Sequence, residues 1–271
     1  MIKRLLTAVV GLPIVVLVFA FGNKYLMDVL LAIVAIISMN EYMKCVAHKD
    51  IKPIKWVGYV MAALIAVLHF IPLQTLLIAA VFSIPVLLLV LFLHVIVTDM
   101  KITFADMVYT LMGILYVVPL IAFVALTYGI EGDISGKVLV WYIFCASWGT
   151  DTCAYLAGIK FGKTKFSKVS PKKSVEGCVA GVFGAIFAAL VYTFAINYFM
   201  GLSISYLTIA VISAVLSVIG QVGDFAASVI KRHFEIKDYS NMFPGHGGML
   251  DRIDSVMFIA PYAYLLLMLF V

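Results

Sequence analysis

The sequence predicts an all-α integral membrane protein with about nine transmembrane helices, its N-terminus in the cytoplasm and its C-terminus outside. Only 12% of the 271 residues are charged, and the mean hydropathy is +1.14. Soluble domains carry about 25% charged residues, so a soluble fold is excluded. Apolar segments near the ~20 residues needed to cross a bilayer recur along the whole chain. The basic residues gather on alternate connecting segments, which orients the chain.

The predicted spans are 5–22, 25–43, 56–72, 75–97, 107–128, 138–157, 177–198, 206–224 and 254–271. With a cytoplasmic N-terminus, Lys24 and Lys137 alone among the 19 lysines and arginines fall outside. The positive-inside bias favours this orientation. The first segment is like a signal peptide, but no A-x-A-like cleavage site precedes Asn23, so we count it as a span. Segment 75–97 contains Pro85 and could instead form two short helices.

Residues 1–137 are predicted to be a transmembrane scaffold. Their spans are dominated by Leu, Val, Ile and Ala. Asp28 and Glu41 lie near the ends of the second span, where we expect interfacial carboxylates. The more polar features described below all fall in residues 138–271. We therefore predict that this region is catalytic, with its active site on the cytoplasmic side.

The sixth and seventh predicted spans differ from the scaffold. Asp151 lies within an otherwise apolar helix, and an intramembrane carboxylate is by default a candidate functional group. The alternative is a structural carboxylate satisfied by the neighbouring threonine hydroxyls. In the seventh span, Gly177, Gly181 and Gly184 have the small-residue spacing that permits close helix packing in lipid.

A lysine-rich segment, 160–177, joins these two spans and contains six lysines. Such clusters suit anionic lipid headgroups, and the segment could be a membrane anchor. It could also bind a polyphosphate. Pro171 restricts the preceding residue and places Lys172 and Lys173 at the start of the next helix, whose free N–H groups suit an anion.

The most polar stretch of the chain runs from Asp224 to Asp254. Ser228, Lys231 and Arg232 follow Asp224 at helical spacing and would share one face with it. A turn must follow at 243–248, because this segment holds one proline and three glycines.

After that turn, Asp251 and Asp254 begin the last helix and point the same way. Together with Asp224 they place carboxylates on two helices. Mg²⁺ takes oxygen ligands and is commonly shared with substrate phosphates, so the stretch predicts a site for a hard cation.

A long pattern in this stretch resembles the signature of the phosphatidate cytidylyltransferases, also called CDP-diacylglycerol synthases. The matching residues are Ser228, Lys231, Arg232, Lys237, Asp238, Pro244, His246, Gly248, Asp251, Arg252 and Asp254. The resemblance extends to Asp224, to segment 170–177 and to Asp151, and so covers about 147–260. One departure is Ala226-Ala227, where the family often has an acidic residue.

The resemblance implies the reaction of CTP with phosphatidate to give CDP-diacylglycerol and pyrophosphate, with Mg²⁺ as cofactor and a second cation left open. Asp224 and Asp251 are the first choices as metal ligands, followed by Asp254 and Asp151. The expected phosphate contacts are Lys172, Lys173, Lys231 and Arg232. Side chains expected to shape the site are Ser228, Lys237, Asp238, His246 and Arg252.

The expected partners are CTP, phosphatidate and membrane lipids, and no nucleic acid. The resemblance further implies a bacterial plasma-membrane enzyme, and a homodimer is expected on that ground alone. Two alternatives remain open. One is a CTP-dependent enzyme with another lipid acceptor, such as a polyprenol kinase or another CDP-lipid synthase. The other is a transporter, in which Asp151 and Asp224 would line a pathway, although the polar groups cluster on one side only.

Overall fold

The computed structural model describes residues 13, 15–167, 169–171, 173–243, 245 and 247–270, and in them the protein is helical. No strand forms in these ranges, only two isolated bridges. The helices are α1 (Lys24–Val46), α2 (Lys55–Ala63), α3 (Leu73–Val97), α4 (Phe104–Tyr128), α5 (Gly136–Leu139), α6 (Trp141–Phe161), α7 (Val175–Met200), α8 (Tyr206–His233) and α9 (Leu250–Phe270).

Six of these helices are long and apolar enough to cross a membrane, namely α1, α3, α4, α7, α8 and α9. The prediction of a multi-span helical membrane protein is therefore confirmed. Apolar side chains on α3, such as Leu77, Val81 and Phe82, are well over half exposed. Apolar surface exposed on this scale is unfavourable in water, whereas a helix that faces lipid requires it.

The other three predicted spans differ from these six. Half of segment 5–22, namely residues 5–12 and 14, lies outside the described residues. Segment 56–72 forms the nine-residue α2 followed by a 3₁₀ stretch, Leu64–Phe70, which together are short for a span. Segment 138–157 corresponds to α6, which has 21 residues but a polar second half. By contrast, segment 75–97 is one helix, because α3 continues through Pro85.

The chain divides into two compact units. Unit 1 comprises Met1–Leu126 and His233–Arg252, and unit 2 comprises Thr127–Arg232 and Ile253–Val271. The division at Arg252 falls within the first turn of α9. Segment 233–252, which the sequence groups with the catalytic region, thus folds with the N-terminal half of the chain.

In unit 1, the two carboxylates of α1 are buried inside the protein. Asp28 is 0% exposed and accepts hydrogen bonds from the backbone N–H of His69 (2.9 Å) and from its ring Nδ1 (2.7 Å). Glu41 is 3% exposed. A buried carboxylate needs such partners to offset its desolvation. The end of the 3₁₀ stretch supplies them to Asp28.

In unit 2, α6 packs against α7 at glycines, as the small-residue spacing predicts. Gly177, Gly181 and Gly184 are buried. A Cβ placed on Gly184 would lie 2.5 Å from both the carbonyl oxygen of Gly149 and the side chain of Cys153. The two backbones can therefore approach this closely only because no side chain intervenes.

Candidate functional site

The lysine-rich loop of unit 2, residues 162–174, is folded back on the start of α7. The Glu176 carboxylate accepts hydrogen bonds from the backbone N–H groups of Lys163 and Thr164. The Phe166 N–H donates to the carbonyl of Lys173 at 3.0 Å. Ser174 is the N-cap of α7, and its hydroxyl accepts from the Gly177 N–H at 3.1 Å. These bonds fix Lys173 immediately before the helix, as the sequence predicts.

Lys173 contacts Asp224 in the polar second half of α8. Its ammonium group donates a hydrogen bond to Oδ2 of Asp224, forming an ion pair. The same nitrogen lies 4.5 Å from the centroid of the Phe225 ring, within the range of a cation–π contact. Phe225 in turn stacks on Phe166 at 4.8 Å. Two residues selected separately from the sequence, Lys173 and Asp224, are thus in direct contact.

Asp254 on α9 belongs to the same group of charges. It is 8% exposed, and its Oδ1 accepts the N–H of Ser255 at 2.8 Å. Coulombic interactions connect it with Asp224, Asp151 and Lys231. The approach of α8 to α9 depends on Gly223, where a Cβ would lie 2.7 Å from the Asp254 carbonyl oxygen. The glycine before Asp224 therefore brings its carboxylate towards Asp254.

The remaining predicted residues of unit 2 follow the expected helical register. Ser228 and Lys231 are half-buried and Arg232 is exposed, all on α8. Asp151 is exposed on α6. The hydroxyl of its neighbour Thr150 pairs with Ser217 at 2.6 Å.

The carboxylates of unit 2 fit Mg²⁺ by donor type. Asp224 and Asp254 offer hard oxygen atoms from adjacent helices, and Mg²⁺ commonly takes one or two carboxylates together with substrate phosphates. Among the described residues, no three His, Cys, Asp or Glu side chains are grouped closely enough to hold a metal ion by themselves. A bound ion would accordingly need oxygen ligands from a nucleotide or water. The Mg²⁺ assignment stays a prediction.

An apolar groove of about 500 Å³ lies between the first half of α7 and the second half of α8. Its walls include Val175, Val179 and Val182 of α7 and Val218 and Val222 of α8. Phe166 and Phe225 also line the groove. Because Phe225 carries the Lys173 ammonium group over its ring, the groove has a cation next to its apolar lining.

In unit 1, the turn predicted at 243–248 is present and is stabilised by Asp251. Oδ2 of Asp251 accepts the N–H groups of Tyr239 (2.8 Å) and Gly248 (2.9 Å). The Phe243 N–H donates to the Gly247 carbonyl at 2.9 Å. One oxygen of this predicted metal ligand is therefore already engaged by the backbone of its own loop.

The structure describes some, but not all, of the other predicted site residues. Lys237, Asp238 and Arg252 are exposed. Lys172 and His246 lie outside the described residues. Sequence reasoning missed Glu41, which also contacts this loop. Its only sequence signal is a carboxylate within an apolar helix, and that signal was interpreted as interfacial.

Comparison with known proteins identifies the family to which the chain belongs. The profile of the Cytidylyltransferase family matches residues 2–270. The phosphatidate cytidylyltransferase of Bacillus subtilis strain 168 is 40% identical over 139 residues, which is 51% of this chain and 50% of that protein. The protein of the same name from Thermotoga maritima is 38% identical over 125 residues, 45% of this chain and 46% of that protein.

Longer matches occur in staphylococci. The phosphatidate cytidylyltransferase of Staphylococcus aureus strain COL is 34% identical over 175 residues, which cover 64% of each chain. The matched region thus spans from about half to just under two thirds of the length of these relatives. The family match, in contrast, runs over nearly every residue. The chain therefore belongs to the Cytidylyltransferase family.

Proposed function

We propose that the protein transfers CMP from CTP to phosphatidate, giving CDP-diacylglycerol and pyrophosphate. The observation that carries this proposal is the Lys173–Asp224 pair beside the apolar groove of unit 2. A cation and a carboxylate suit a nucleotide phosphate with its metal, and the groove suits an acyl chain. The name of the bacterial relatives, phosphatidate cytidylyltransferase, agrees with both halves of this arrangement.

The proposed reaction does not require a general base. A phosphate oxygen of phosphatidate, already ionised, attacks the α-phosphorus of CTP. The bond from that phosphorus to the bridging oxygen breaks, and pyrophosphate leaves with the electron pair. No proton is removed in this step. The protein's task is to bring two anions together and to stabilise the charge on the leaving group.

The cations of unit 2 suit this task. We assign Lys173, Lys231 and Arg232 to the phosphates, with Lys172 as a further candidate. Mg²⁺, held by Asp224 and Asp254 with Asp151 as a further candidate ligand, would supply Lewis-acid neutralisation of the pyrophosphate. Asp251, which belongs to unit 1, is a candidate ligand on the family resemblance alone. Asp224 would then exchange its contact with Lys173 for the ion, which leaves that ammonium group available to a phosphate.

The apolar groove between α7 and α8 is the binding site that we assign to an acyl chain of the lipid substrate. An acyl chain lying against Val179 and Val222 would bring its phosphate to the end marked by Phe225 and Lys173. Ser228 lies one helical turn beyond Asp224 on the same face of α8. Lys237, Asp238, His246 and Arg252 are assigned to shaping the site, as the family resemblance implies.

We further propose nine spans, with the N-terminus in the cytoplasm and the C-terminus outside, in a bacterial plasma membrane. This topology would put the lysine-rich loop and segment 233–252 at the cytoplasmic face, where CTP is present. A homodimer is proposed from the family resemblance alone.

The test is pyrophosphate release by the purified protein in detergent, with CTP and Mg²⁺, with and without phosphatidate. We expect release only when phosphatidate is present. We expect Asp224→Asn to lower it at least about 100-fold, since a removed metal ligand or electrostatic group commonly costs this much. The matched control is Asp133→Asn, an exposed carboxylate in the segment between α4 and α5, which should retain full activity.

The same assay separates the alternatives. Transfer of the γ-phosphate to an added polyprenol, with CDP rather than pyrophosphate as the second product, would establish a kinase. Neither product under any condition would contradict a CTP-dependent activity. Full activity of Asp224→Asn would overturn the metal assignment while leaving the reaction standing.

A further inference from the structure

Glu41 connects α1 to the turn that precedes α9. The carboxylate oxygen Oε1 accepts hydrogen bonds from the Ser240 hydroxyl (2.6 Å) and the Met249 N–H (3.0 Å). Oε2 accepts from the Leu250 N–H at 2.8 Å. All of these residues belong to unit 1. A single buried carboxylate from the predicted scaffold thus holds both the start of the loop and the first residue of α9.

Gly248 lies between this carboxylate and that of Asp251. Its N–H donates to Asp251, and a Cβ on its backbone would lie 2.5–2.7 Å from the carboxyl atoms of Glu41. Side-chain ends can normally move away from such a contact. Here Glu41 is buried and held by three hydrogen bonds, so movement would break them. A glycine is therefore needed at position 248 if Glu41 is to keep these hydrogen bonds.

We propose that Glu41 is a positioning residue of the active site, and this inference rests on the function proposed above. Its role is to fix both ends of the loop that precedes α9 and so to set where Asp251 and Arg252, the second and third residues of α9, present their side chains. Glu41 does not itself contact substrate. A displacement of about 1 Å of a catalytic group can cost about 100-fold in rate, so a residue acting only through the loop can have a large kinetic effect.

The geometry predicts which property of Glu41 matters. All three of its partners in the loop are donors, so the site needs a side chain with two acceptor atoms. A glutamine has nearly the same shape but replaces one acceptor with an NH₂ group, which would face an N–H donor. Glu41→Gln should therefore disturb the loop without creating a cavity.

The experiment compares Glu41→Gln with Asp28→Asn. Both residues lie on α1, both are buried, and both accept a backbone N–H, but Asp28 is bonded to His69 rather than to the loop. We expect both variants to lower the melting temperature. We expect Glu41→Gln alone to lower kcat, by about 10- to 100-fold, with KM for CTP and phosphatidate changed by less than about threefold. Equal kcat values for the two variants would make Glu41 merely structural and overturn the proposal.

A second pair of variants tests the contact itself. Gly248→Ala should lower kcat because its methyl group displaces the Glu41 carboxylate. Glu41→Asp withdraws that carboxylate by one methylene, so it should restore at least part of the activity of Gly248→Ala. In a double-mutant cycle, two variants in direct contact are non-additive. Additive losses would contradict the proposed contact.

Hydrogen exchange separates this proposal from the reaction. We expect the amides of Met249 and Leu250 to exchange faster in Glu41→Gln and at the wild-type rate in Asp28→Asn. If the wild-type protein releases no pyrophosphate, the proposed function fails, and this exchange result still decides whether Glu41 fixes the loop. Unchanged exchange in Glu41→Gln would overturn the positioning role whatever the reaction.

Discussion

Lys173 differs in its contacts from other lysines of the lysine-rich loop. A lysine that only anchors the protein to lipid headgroups would extend away from the helices. Instead its ammonium group is bonded to Asp224 and lies over the Phe225 ring. Lysines elsewhere in the loop, such as Lys163 and Lys165, are exposed and remain suited to headgroups. We therefore propose that the two interpretations apply to different residues of one loop.

Substituting Lys173 tests this distinction. We expect Lys173→Met, which keeps the apolar stem and removes the charge, to lower kcat/KM for CTP by at least about tenfold. A hydrogen bond to a charged group is worth roughly 1.5–3 kcal/mol, and about 1.4 kcal/mol is one factor of ten. The control is Lys163→Met in the same loop, which should stay within about twofold. Steady-state pyrophosphate release measures both, and equal losses would favour a general headgroup role for the loop.

The carboxylates show where residue-level prediction from sequence ends. Asp151 could be selected because a carboxylate within an apolar helix is costly. Asp224, Asp251 and Asp254 could be selected because they lie together in the most polar stretch of the chain. Glu41 is, like Asp151, a carboxylate in an apolar segment, but its hydrogen-bond partners lie in a loop about 200 residues later in the chain. Sequence spacing cannot show that contact. It also could not show that one oxygen of Asp251 is engaged by its own loop.

At the level of elements, α8 extends beyond its predicted span. The prediction ended the span at 224, where the apolar run stops, but the helix continues to His233. A polar face at the end of a helix can leave the hydrocarbon without ending the helix. Asp224, Ser228 and Lys231 therefore keep the helical spacing from which their common face was inferred. The hydropathy predicts the span, and the spacing of the polar groups fits the helical extension to His233 that the structure shows.

The groove between α7 and α8 can be tested by filling it. We expect Val179→Trp to raise KM for a long-chain phosphatidate by about tenfold and to leave KM for a water-soluble short-chain phosphatidate unchanged, because only the long chain needs the groove. Val191→Trp is the control, since Val191 is equally exposed on the same helix and lies outside the groove. An equal rise for both lipids would place the acyl chain elsewhere.

The glycine contacts of α6 and α7 make a prediction about stability. We expect Gly184→Ala to destabilise the protein by about 1–3 kcal/mol, since added atoms in a packed interface force the backbones apart. Thermal unfolding in detergent measures the change. Gly132→Ala is the control, because a Cβ there has no atom within 4 Å. If Gly184→Ala unfolded at the wild-type temperature, the close packing of these two helices would be contradicted.

At the scale of the whole molecule, hydropathy accounts for most of the architecture. Six of the nine predicted spans correspond to helices that are long and apolar enough to cross a membrane. The division into two units could not be predicted, because unit 1 combines the first half of the chain with segment 233–252. That grouping depends on long-range contacts, among them the hydrogen bonds from Ser240 and Leu250 to Glu41.

The helix that decides the topology of the second half is α6. Between Asp133 and Asp238 lie the four-residue α5 and three long helices, α6, α7 and α8. Of these three, α7 and α8 meet the requirements of a span and α6 is more polar. If all three cross, the two aspartates are on opposite sides of the membrane. If α6 does not cross, they are on the same side. The positive-inside bias favours the first arrangement, because it places the lysine-rich loop in the cytoplasm.

Site-directed labelling distinguishes the two arrangements. The four native cysteines are first replaced, and Asp133→Cys and Asp238→Cys are then made separately, both at exposed positions. With a membrane-impermeant maleimide on intact cells, we expect labelling at position 133 alone. Position 238 should react only after the membrane is permeabilised. Labelling of both positions in intact cells, or of neither, would mean that α6 does not span the membrane. The nine-span topology would then be wrong, and one of the predicted crossings would have to be removed.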